Sequence, residues 1–587
     1  MRIPAQVKQL VSHRRPPLVR TVGMRPARSV LWAGGSLAWN PMGTGVEHRR
    51  RLRYRSGDHR RRLTRAVPLG AVALILMAEC WSASAGAVTS PASSSWTAYH
   101  GNAAGAGVTT SVASVDTTRP AWTSPVLDGH LYGEPLVFGS DVYVASEDDT
   151  VYALSSSTGA VVWSAHVGTP VPSSALPCGN ITPEVGITGT PVIDPARSEI
   201  FVVADVLVDG NPAHMLFGLS TDTGHVELDQ DVDPPGANPG ALLQRTGLTL
   251  DAGKVVFGMG GNYGDCATYR GRVIGVDEAG GTPSTFTVDS AGGEDQGAVW
   301  MGGGAPAVDS AGDIWVEAGN GSVYSPSHAY DDSDSVLELS SGLTLLQYFA
   351  PTDWPENNQQ DLDMSTEPAL LASGQVVGAG KSGMAYLLDG SHVGGIGGEE
   401  ASLATGCGND VDGGTAVVGM TVFLPCVSGI IAVRASSSPP GLRDLWNSGK
   451  GGGPPIVAAG LVWTIGQNGT LYGLNPATGT VEQQTSLGAP ANHFPTPSVG
   501  DGLFLVPESD RVAALTTMAT GTPVATTTST LGAAATTTTV AVPGTHTAAG
   551  SGSGGPPAGA IAAIVVGGGA VLGLIGWLLR RRRRGHG

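Results

Sequence analysis

A short stretch of alternating apolar and polar residues, bounded by turns, returns again and again along this chain. Its clearest copy, Leu131–Trp163, reads LYGEPLVFGSDVYVASEDDTVYALSSSTGAVVW, with Gly-Ser, Asp-Asp and Ser-Thr-Gly turns between its strands. Period-two alternation interrupted by such turns predicts a small antiparallel meander. A sheet of this size cannot bury its own faces, so it needs neighbours of the same kind. The chain is therefore restricted to a repeat architecture.

Each copy opens with a small residue, often followed by proline, before a short apolar strand. The eight openings are GEPLV from Gly133, GTPVI from Gly189, TGLTL from Thr246, GAPAV from Gly304, TEPAL from Thr366, GTAVV from Gly414, GPPIV from Gly453 and TPSVG from Thr496. Their spacing of roughly 40–60 residues fits the blades of a propeller. Separate sandwiches are the alternative, but sandwiches do not require matched openings at this period. We predict an all-β, eight-bladed β-propeller.

The two ends of the repeat region predict how the ring closes. The last copy ends near Leu515 without a fourth strand, and an unassigned strand, PAWTSPV from Pro120, precedes the first copy. Pairing the two would remove the open edges that invite aggregation. Candidates for the outermost strands of other blades are VVWSAHV, LLQYFAP and DLWNS.

Several phrases of the chain resemble a known family. TVYALSSSTGAVVW, echoed by TLYGLNPATGTVE from Thr470, is similar to the repeat of quinoprotein alcohol dehydrogenase-like propellers, the pyrroloquinoline quinone (PQQ)-like repeats. WTAYHGNAAGAGVT from Trp96 resembles the segment with which those domains begin. CGNITPEVGITGTPVID from Cys178 resembles a stretch that is common in the uncharacterised members of the family. The resemblance covers about residues 96–515 and implies the eight-bladed fold. It leaves the chemistry open, because the relatives include dehydrogenases and proteins that only bind other proteins.

Charge is segregated along the chain. Of 32 Lys and Arg, 16 lie in residues 1–65 and five more form Arg580–Arg584. Eleven basic residues then remain between them against 47 of the 49 Asp and Glu, a net charge of −36. Such a surface repels nucleic acid and anionic lipid, which excludes both as expected ligands of the propeller.

The ends of the chain predict export and anchoring. A basic run before the apolar segment Ala66–Met77 and Ala83-Ser84-Ala85 has the order of a secretory signal, cleaved near Ala85. Ala558–Leu579 has 22 residues without a charge, enough to span a bilayer as a helix, and Arg580–Arg584 is a positive-inside stop. The predicted order is a leader or over-extended start (1–65), signal peptide (66–87), propeller (92–516), Thr/Ala/Gly/Pro-rich stalk (517–557), transmembrane helix (558–579) and basic cytoplasmic tail (580–587). This describes a single-pass type I protein of the cell membrane with its propeller outside.

Beyond Cys80, four cysteines lie in the predicted propeller. An even number in an exported chain favours two disulfides, and three pairings exist. We favour Cys407–Cys426, which closes a short loop, and Cys178–Cys266, which joins inserts of neighbouring copies. No spacing typical of a metal site involves these cysteines.

The strongest candidate for chemistry is Tyr348–Leu370, YFAPTDWPENNQQDLDMSTEPAL. It resembles the dehydrogenase segment in which an aromatic strand leads through Asp-Trp and Asp-x-Asp to the next blade. The resemblance implies Asp361 or Asp363 as catalytic base, Trp354 beside a quinone and Asp353 near Ca²⁺. The structural alternative is that these carboxylates cap turns of a long loop.

Other polar clusters carry weaker signals. Asp331-Asp332-Ser333-Asp334 lacks the glycine and terminal glutamate of an EF-hand loop, so we expect a solvated turn. Possible stacking platforms for a ring ligand are Trp300, Trp315, Trp354 and Trp463, although packing between blades is the plainer role.

Three features of the quinone enzymes are missing from the sequence or cannot be placed on it: an adjacent cysteine pair, the Ca²⁺-holding Glu and Asn, and a CxxCH haem attachment. We therefore expect a non-catalytic binding or scaffold module for an extracellular protein or glycan. The alternative is a PQQ- and Ca²⁺-dependent quinoprotein oxidoreductase acting on an exported alcohol or sugar.

Overall fold

Four-stranded antiparallel sheets repeat eight times in the computed structural model, which describes residues 95–288, 295–407, 410–488 and 492–520. In blades 1 to 7 the four main strands follow one another in chain order, and in every blade the innermost strand is the short one at the end of the matched opening phrase. The two middle strands are almost wholly buried, whereas outermost strands such as Val161–His166 alternate in exposure. The predicted all-β, eight-bladed propeller is confirmed.

The strands of blades 1 to 4 have the following bounds. Blade 1 contains Leu136–Phe138, Asp141–Ala145, Thr150–Ser155 and Val161–His166; blade 2 contains Val192–Asp194, Glu199–Val208, Asn211–Ser220 and Val226–Asp231. Blade 3 contains Thr249–Asp251, Lys254–Gly261, Arg272–Asp277 and Ser284–Thr287, with Leu242–Leu243 beside its second strand; blade 4 contains Ala307–Val308, Ile314–Ala318, Ser335–Leu339 and Leu345–Ala350, with Gly395–Ile396 added in parallel.

Blades 5 to 8 continue in the same pattern. Blade 5 contains Ala369–Leu370, Gln375–Ala379, Met384–Asp389 and Ala401–Ala404; blade 6 contains Ala416–Val418, Thr421–Cys426, Gly429–Ser437 and Pro440–Asn447. Blade 7 contains Ile456–Ala458, Leu461–Ile465, Thr470–Leu474 and Val481–Ser486; blade 8 contains Ser498–Gly500, Leu503–Pro507, Val512–Ala519, Val112–Val115 and Trp122–Thr123.

The remaining described elements lie in connections. They are the strands Val171–Pro172 and Glu184–Val185, the α-helix Trp354–Gln360, and the 3₁₀ turns Tyr99–Gly101, Ser173–Ala175, Pro239–Ala241 and Met301–Gly303.

The ring is closed by the beginning of the chain. Trp122 pairs with Ala514, which confirms that the strand from Pro120 joins the last unit. A second strand, Val112–Val115, pairs with the end of Val512–Ala519 and was not predicted. Blade 8 thus takes three strands from the last copy and its outer edge from residues 112–123, so its third strand has no free edge exposed to other chains.

Three blade interfaces share one packing device. Trp122 of blade 8 donates its indole N–H to the Ser156 carbonyl of blade 1 at 2.7 Å, and its ring covers Gly159, where a Cβ would lie 2.4 Å from the ring. In the same way, Trp163 donates to the Thr221 carbonyl of blade 2 and covers Gly224. Trp446 donates to the Pro476 carbonyl of blade 7 and covers Gly479. All three glycines have φ near +70°, a conformation that glycine adopts without strain.

The segment from Trp96 to Val108 pairs with inner strands around the axis. Trp96 bonds to Val137 of blade 1, and the carbonyls of Thr97, Ala103, Ala106 and Gly107 accept backbone N–H groups of Ile193, Val308, Val417 and Val457 in blades 2, 4, 6 and 7. Inner strands present an unpaired edge to the axis, and this segment satisfies those backbone groups. Gly105 permits the close approach, because a Cβ there would overlap the Glu367 carboxylate.

Several predicted segments lie outside the described residues. These are the leader and signal peptide, nearly all of the stalk, the transmembrane helix 558–579 and the basic tail. As far as residues 95–520 are described, every helix is too short or too polar to cross a bilayer.

Candidate functional site

A funnel opens at one end of the propeller axis. Its walls come from the turns between the second and third strands of the blades and from the connections that lead into the inner strands. Its volume is about 800 Å³, within the range of small-ligand sites. Because the blades radiate from one axis, residues far apart in sequence, such as Tyr132, Trp300 and Phe494, line the same space.

One wall is built around Arg245, which is 8% exposed. Its guanidinium lies 5.7 Å from the ring centres of both Tyr132 and Phe494, and its Nη2 donates to the His493 carbonyl at 2.6 Å. Burial lowers the pKa of Arg245, while the nearby Glu147 carboxylate acts to raise that pKa. Gly303, at φ +89°, leaves the room that the guanidinium occupies. Arg245 is thus a fixed cation with two aromatic rings beside its guanidinium.

A second cation of the lining is Lys381. Its ammonium contacts the Asp363 carboxylate, lies 3.2 Å from Oδ1 of Asp361 and sits 5.2 Å from the centre of the Trp300 ring. Burial alone would lower the pKa of Lys381, but the attraction of Asp363 outweighs it and raises that pKa. Asp363 also accepts the Asn320 backbone N–H at 2.6 Å. The Asp361–Asp363 pair is therefore occupied by a cation that the protein itself supplies.

Two acceptors of the funnel have no partner within the described residues. They are Oδ1 of Asp412 and Oδ1 of Asn320. Asp412 is 8% exposed, and burial raises the pKa of its carboxyl group to about 7, although Ser365 and Lys381 act in the opposite direction. Asn320 uses its amide N–H to donate to Asp361 at 2.7 Å, which leaves its carbonyl oxygen as an acceptor. Both oxygens are buried acceptors without a donor among the described residues.

Two disulfides hold loops of the funnel. Cys178 pairs with Cys266 and Cys407 with Cys426, with Cα atoms 6.2 and 6.0 Å apart, and these are the pairings favoured from the sequence. The first bond lies between the lining residues Asn180 and Asp265. The second bond joins Cys407, which lies just before the lining residues Asp410 and Asp412, to Cys426, which lies just before the lining residue Val427. Each disulfide therefore ties together two segments that line the funnel, and around the second bond the backbone N–H groups of Asp412 and Val427 also donate to the Pro425 and Asp410 carbonyls.

The candidate residues of Tyr348–Leu370 divide into two groups. Asp361 and Asp363 line the funnel, whereas Asp353 and Trp354 do not. Trp354 begins the helix Trp354–Gln360, is 3% exposed and packs edge-on against Tyr330 at 5.3 Å, so it is a core residue and not available to a ring ligand. Asp353 lies at the N-cap of that helix. Neither is placed beside a ligand in the funnel.

The Asp-rich cluster at residues 331–334 was expected to be a solvated turn, and that expectation is wrong. Asp334 is fully buried and accepts hydrogen bonds from Nδ2 of Asn357 at 2.8 Å and from the Met364 backbone at 3.0 Å. Its role is to attach the helix Trp354–Gln360 to blade 4, and the sequence contained no sign of this burial.

Sequence reasoning considered Trp300 without placing it and missed Arg245, Lys381 and Asp412. Of the four tryptophans weighed as platforms, only Trp300 lines the funnel; Trp315 and Trp463 are at most 2% exposed. A usable signal existed for Lys381, since the chain has only four lysines. A lysine in so acidic a propeller favours a carboxylate partner, and Lys254 and Lys381 both have one.

Groups of side chains that could hold a metal ion lie elsewhere in the described part of the chain. They are Asp128, Asp148 and His166 in blade 1, and Asp309, Asp313 and Glu338 in blade 4. Neither group lines the funnel. In the second group, Asp309 already accepts N–H groups of Ala311, Asp313 and Trp315, which fits a turn-capping role.

Comparison with known proteins agrees with the geometry. A PQQ-type repeat family described as outer membrane protein assembly factor BamB matches residues 78–283. No curated protein matches the sequence significantly.

Solved structures give the same fold. A quinohemoprotein alcohol dehydrogenase from Pseudomonas putida HK5 is 12% identical, with 72% of this chain and 80% of that chain covered and a TM-score of 0.54. A europium-containing methanol dehydrogenase is 16% identical, with 70% and 89% covered and a TM-score of 0.52. At these identities the likeness establishes the fold alone.

Proposed function

We propose that this chain, a PQQ-like repeat β-propeller of the quinoprotein alcohol dehydrogenase-like kind, is a binding module that takes an extracellular protein or glycan in its axial funnel and catalyses no reaction on it. The funnel has the size, aromatic surface and polar groups of a ligand site. Its loops are fixed by two disulfides, which suits a preformed binding surface outside the cell.

The observation that carries the proposal is the position of Lys381. A calcium-bearing quinone centre needs several oxygen donors free to surround the ion at 2.3–2.6 Å. The carboxylates that the quinoprotein alternative would use, Asp361 and Asp363, already bind the Lys381 ammonium, which lies against Trp300. Asp353, the residue expected near Ca²⁺, does not line the funnel, and a calcium ion at Asp361 and Asp363 would have to displace a partly buried, charged lysine. The residues of the funnel therefore do not fit Ca²⁺ with PQQ, and we derive no reaction step through that cofactor.

Display at the cell surface is a second part of the proposal. It rests on the basic–apolar–small order before Ala85 and on the uncharged segment Ala558–Leu579 followed by five arginines. With a net charge of −36 between the basic ends of the chain, the propeller would stand off an anionic membrane at the end of its stalk, with the funnel accessible to soluble or cell-bound partners. Protease treatment of intact cells should remove the propeller and leave a small anchored fragment.

The test uses purified full-length protein in detergent. After incubation with micromolar PQQ and Ca²⁺ and removal of free quinone, we expect no retained quinone absorbance and no dye reduction with alcohols or sugars. Stoichiometric retention with dye reduction would overturn the proposal in favour of an oxidoreductase. In parallel, arrays of glycans and peptides should yield a saturable ligand whose binding is lost in Trp300→Ala and kept in Trp446→Phe, which alters a ring outside the funnel.

A further inference from the structure

Resting on the proposed binding role of the funnel, we propose that its ligand is an organic ammonium group, carried by a lysine side chain of a peptide or by a free diamine. The group would lie between Asp412, Asn320 and Asp361, with its alkyl chain along the aromatic wall. Three independent properties of the lining support this assignment.

The first property is charge. Five carboxylates line the funnel against two permanent cations: Asp265, Asp361, Asp363, Asp410 and Asp412 against Arg245 and Lys381. Both cations are already engaged, Arg245 with a carbonyl and two rings and Lys381 with two carboxylates. The lining has a formal charge of −3 when all these groups are ionised, so an anionic ligand would be repelled and a cation attracted.

The second property is the hydrogen-bonding deficit. Asp412 is more than nine-tenths buried and lines the funnel, yet its Oδ1 has no partner among the described residues. The Oδ1 of Asn320 is also unpartnered, and Asp361 keeps a side chain that is 73% exposed. An ammonium supplies three donors and a countercharge, whereas a hydroxyl supplies one donor and no charge. A buried carboxylate oxygen without a donor is unfavourable, and an ammonium supplies both a donor and a countercharge.

The third property is the apolar surface above these acceptors. Trp300 and Tyr269 line the funnel, Phe494 packs against Trp300 with ring centres 6.2 Å apart, and the exposed side chains of Tyr263 (70%) and Val427 (50%) lie at its rim. Lysine and diamines bury their methylene chains against such surfaces while the charged end is hydrogen-bonded. A polyhydroxylated ring offers no comparable chain, which separates the ammonium from a sugar.

The long-range field acts in the same direction. The part of the chain between the basic ends has a net charge of −36, and such a field raises the association rate of cations in a salt-dependent manner. A basic segment of a partner protein would be attracted from a distance, and its lysine would then enter the funnel.

The experiment measures binding to the full-length protein by calorimetry with matched probes. The probes are a blocked Gly-Lys-Gly peptide, the same peptide with Nε-acetyl-lysine, the free diamine cadaverine and a neutral trisaccharide. We expect the lysine peptide to bind at least about tenfold more tightly than its acetylated form, because acetylation removes the charge and two donors. Comparing the affinity for cadaverine with the affinity for the lysine peptide distinguishes a free diamine from a lysine side chain of a protein as the ligand.

Variants locate the effect. Asp412→Asn should weaken binding of the lysine peptide about tenfold or more. Asp361→Asn should weaken it about threefold, and the fold should tolerate this substitution because the Asp361 side chain is exposed. Asp229→Asn changes the charge equally on the exposed outer strand of blade 2 and should change affinity by less than about twofold. Thermal melts of each variant separate loss of binding from loss of folding.

Two results would overturn the inference: no saturable binding of either amine up to millimolar concentration, or equal binding of the lysine and acetyl-lysine peptides. If the trisaccharide or the acetylated peptide binds instead and Trp300→Ala abolishes that binding, the ammonium assignment fails while the binding role of the funnel stands. Retention of PQQ with dye reduction would remove the binding role itself.

Discussion

Two sets of blades are joined in different ways. At the 8–1, 1–2 and 6–7 interfaces, a tryptophan covers a glycine of the next blade and donates to a turn carbonyl. At the 4–5 interface, the corresponding strand has Gln347, whose amide bonds to the Gly390 carbonyl at 2.8 Å and accepts the Val393 N–H at 3.0 Å. The tryptophan device combines ring burial with a hydrogen bond, whereas Gln347 contributes hydrogen bonds alone. The apolar packing of the 4–5 interface comes from other side chains, such as Phe349 against Tyr386 with ring centres 5.0 Å apart.

The two kinds of interface lie in different parts of the ring relative to the candidate site. Trp300, Asn320, Asp363 and Lys381 come from the connections and turns around blades 3 to 5, where the tryptophan device is absent and the helix Trp354–Gln360 is inserted. The blades with the regular repeat provide the frame, and the blades that depart from it provide the charged part of the site. Sites of this kind favour rigid supports with variable loops.

Replacing a docking tryptophan should have the largest effect. Trp122→Ala removes a ring that is 9% exposed and its hydrogen bond, and it loosens the strand that closes the ring. We expect a loss of about 3–5 kcal/mol in the free energy of unfolding. Urea denaturation checks this, with Trp122→Phe as control, which keeps most of the apolar contact and should lose about 1–2 kcal/mol. Equal losses in the two variants would contradict the role of the ring.

Removing the built-in cation of the irregular blades should have the next largest effect. Lys381→Met leaves the buried Asp363 without its partner, and we expect a loss of about 3 kcal/mol. The double variant with Asp363→Asn should recover most of that loss, because no uncompensated charge remains. Calcium should stabilise only the single variant in thermal melts. If Lys381→Met is as stable as the natural chain, the ammonium does not hold this carboxylate pair.

The affinity for ammonium ligands should depend on pH through Asp412. Burial raises the pKa of its carboxyl group to about 7, with Asp410 and Asp363 raising it and Ser365 and Lys381 lowering it. An ammonium binds the ionised form, so affinity should fall about tenfold, or about 1.4 kcal/mol, from pH 8 to pH 6, while the amine itself stays charged. Calorimetry across this range checks it, and Asp412→Asn should flatten the profile. A natural protein with a flat profile would contradict the assignment.

The glutamine interface should show the smallest effect. Gln347→Ala removes two hydrogen bonds from a partly exposed side chain, for a loss of about 1 kcal/mol. Gln347→Glu is the matched control, since it keeps the size and the acceptor for Val393 but loses the donor to Gly390. Urea midpoints measured beside those of Trp122→Ala test the comparison directly, and a loss equal to that of the tryptophan would remove the distinction between the two interfaces.

The frame could be predicted from the sequence because its determinants are local. Period-two alternation and the turn residues marked all eight inner strands and the strand at Trp122, and each is specified within a dozen residues. The strand Val112–Val115 was missed because its partners, around residues 517–519, lie some four hundred positions away and its own pattern is weak.

The site could be predicted only in part for the opposite reason. Asp361 and Asp363 were identified because their segment leads directly into the inner strand of blade 5. Trp354 was misplaced because a seven-residue helix turns it into the core. Arg245 and Asp412 line the same funnel only through the convergence of the blades, which no local pattern encodes.

The pairing of residues 96–108 with the inner strands affects when the chain can finish folding during its synthesis. The Tyr99 hydroxyl meets the Thr496 hydroxyl at 3.4 Å, and Gly107 meets Val457, so the portion synthesised first waits for partners synthesised last. Because such long-range contacts form slowly, the nascent polypeptide stays incomplete until its final blade has emerged. A product truncated before Ser498 would leave the strands Val112–Val115 and Trp122–Thr123 without the partner with which they close the ring.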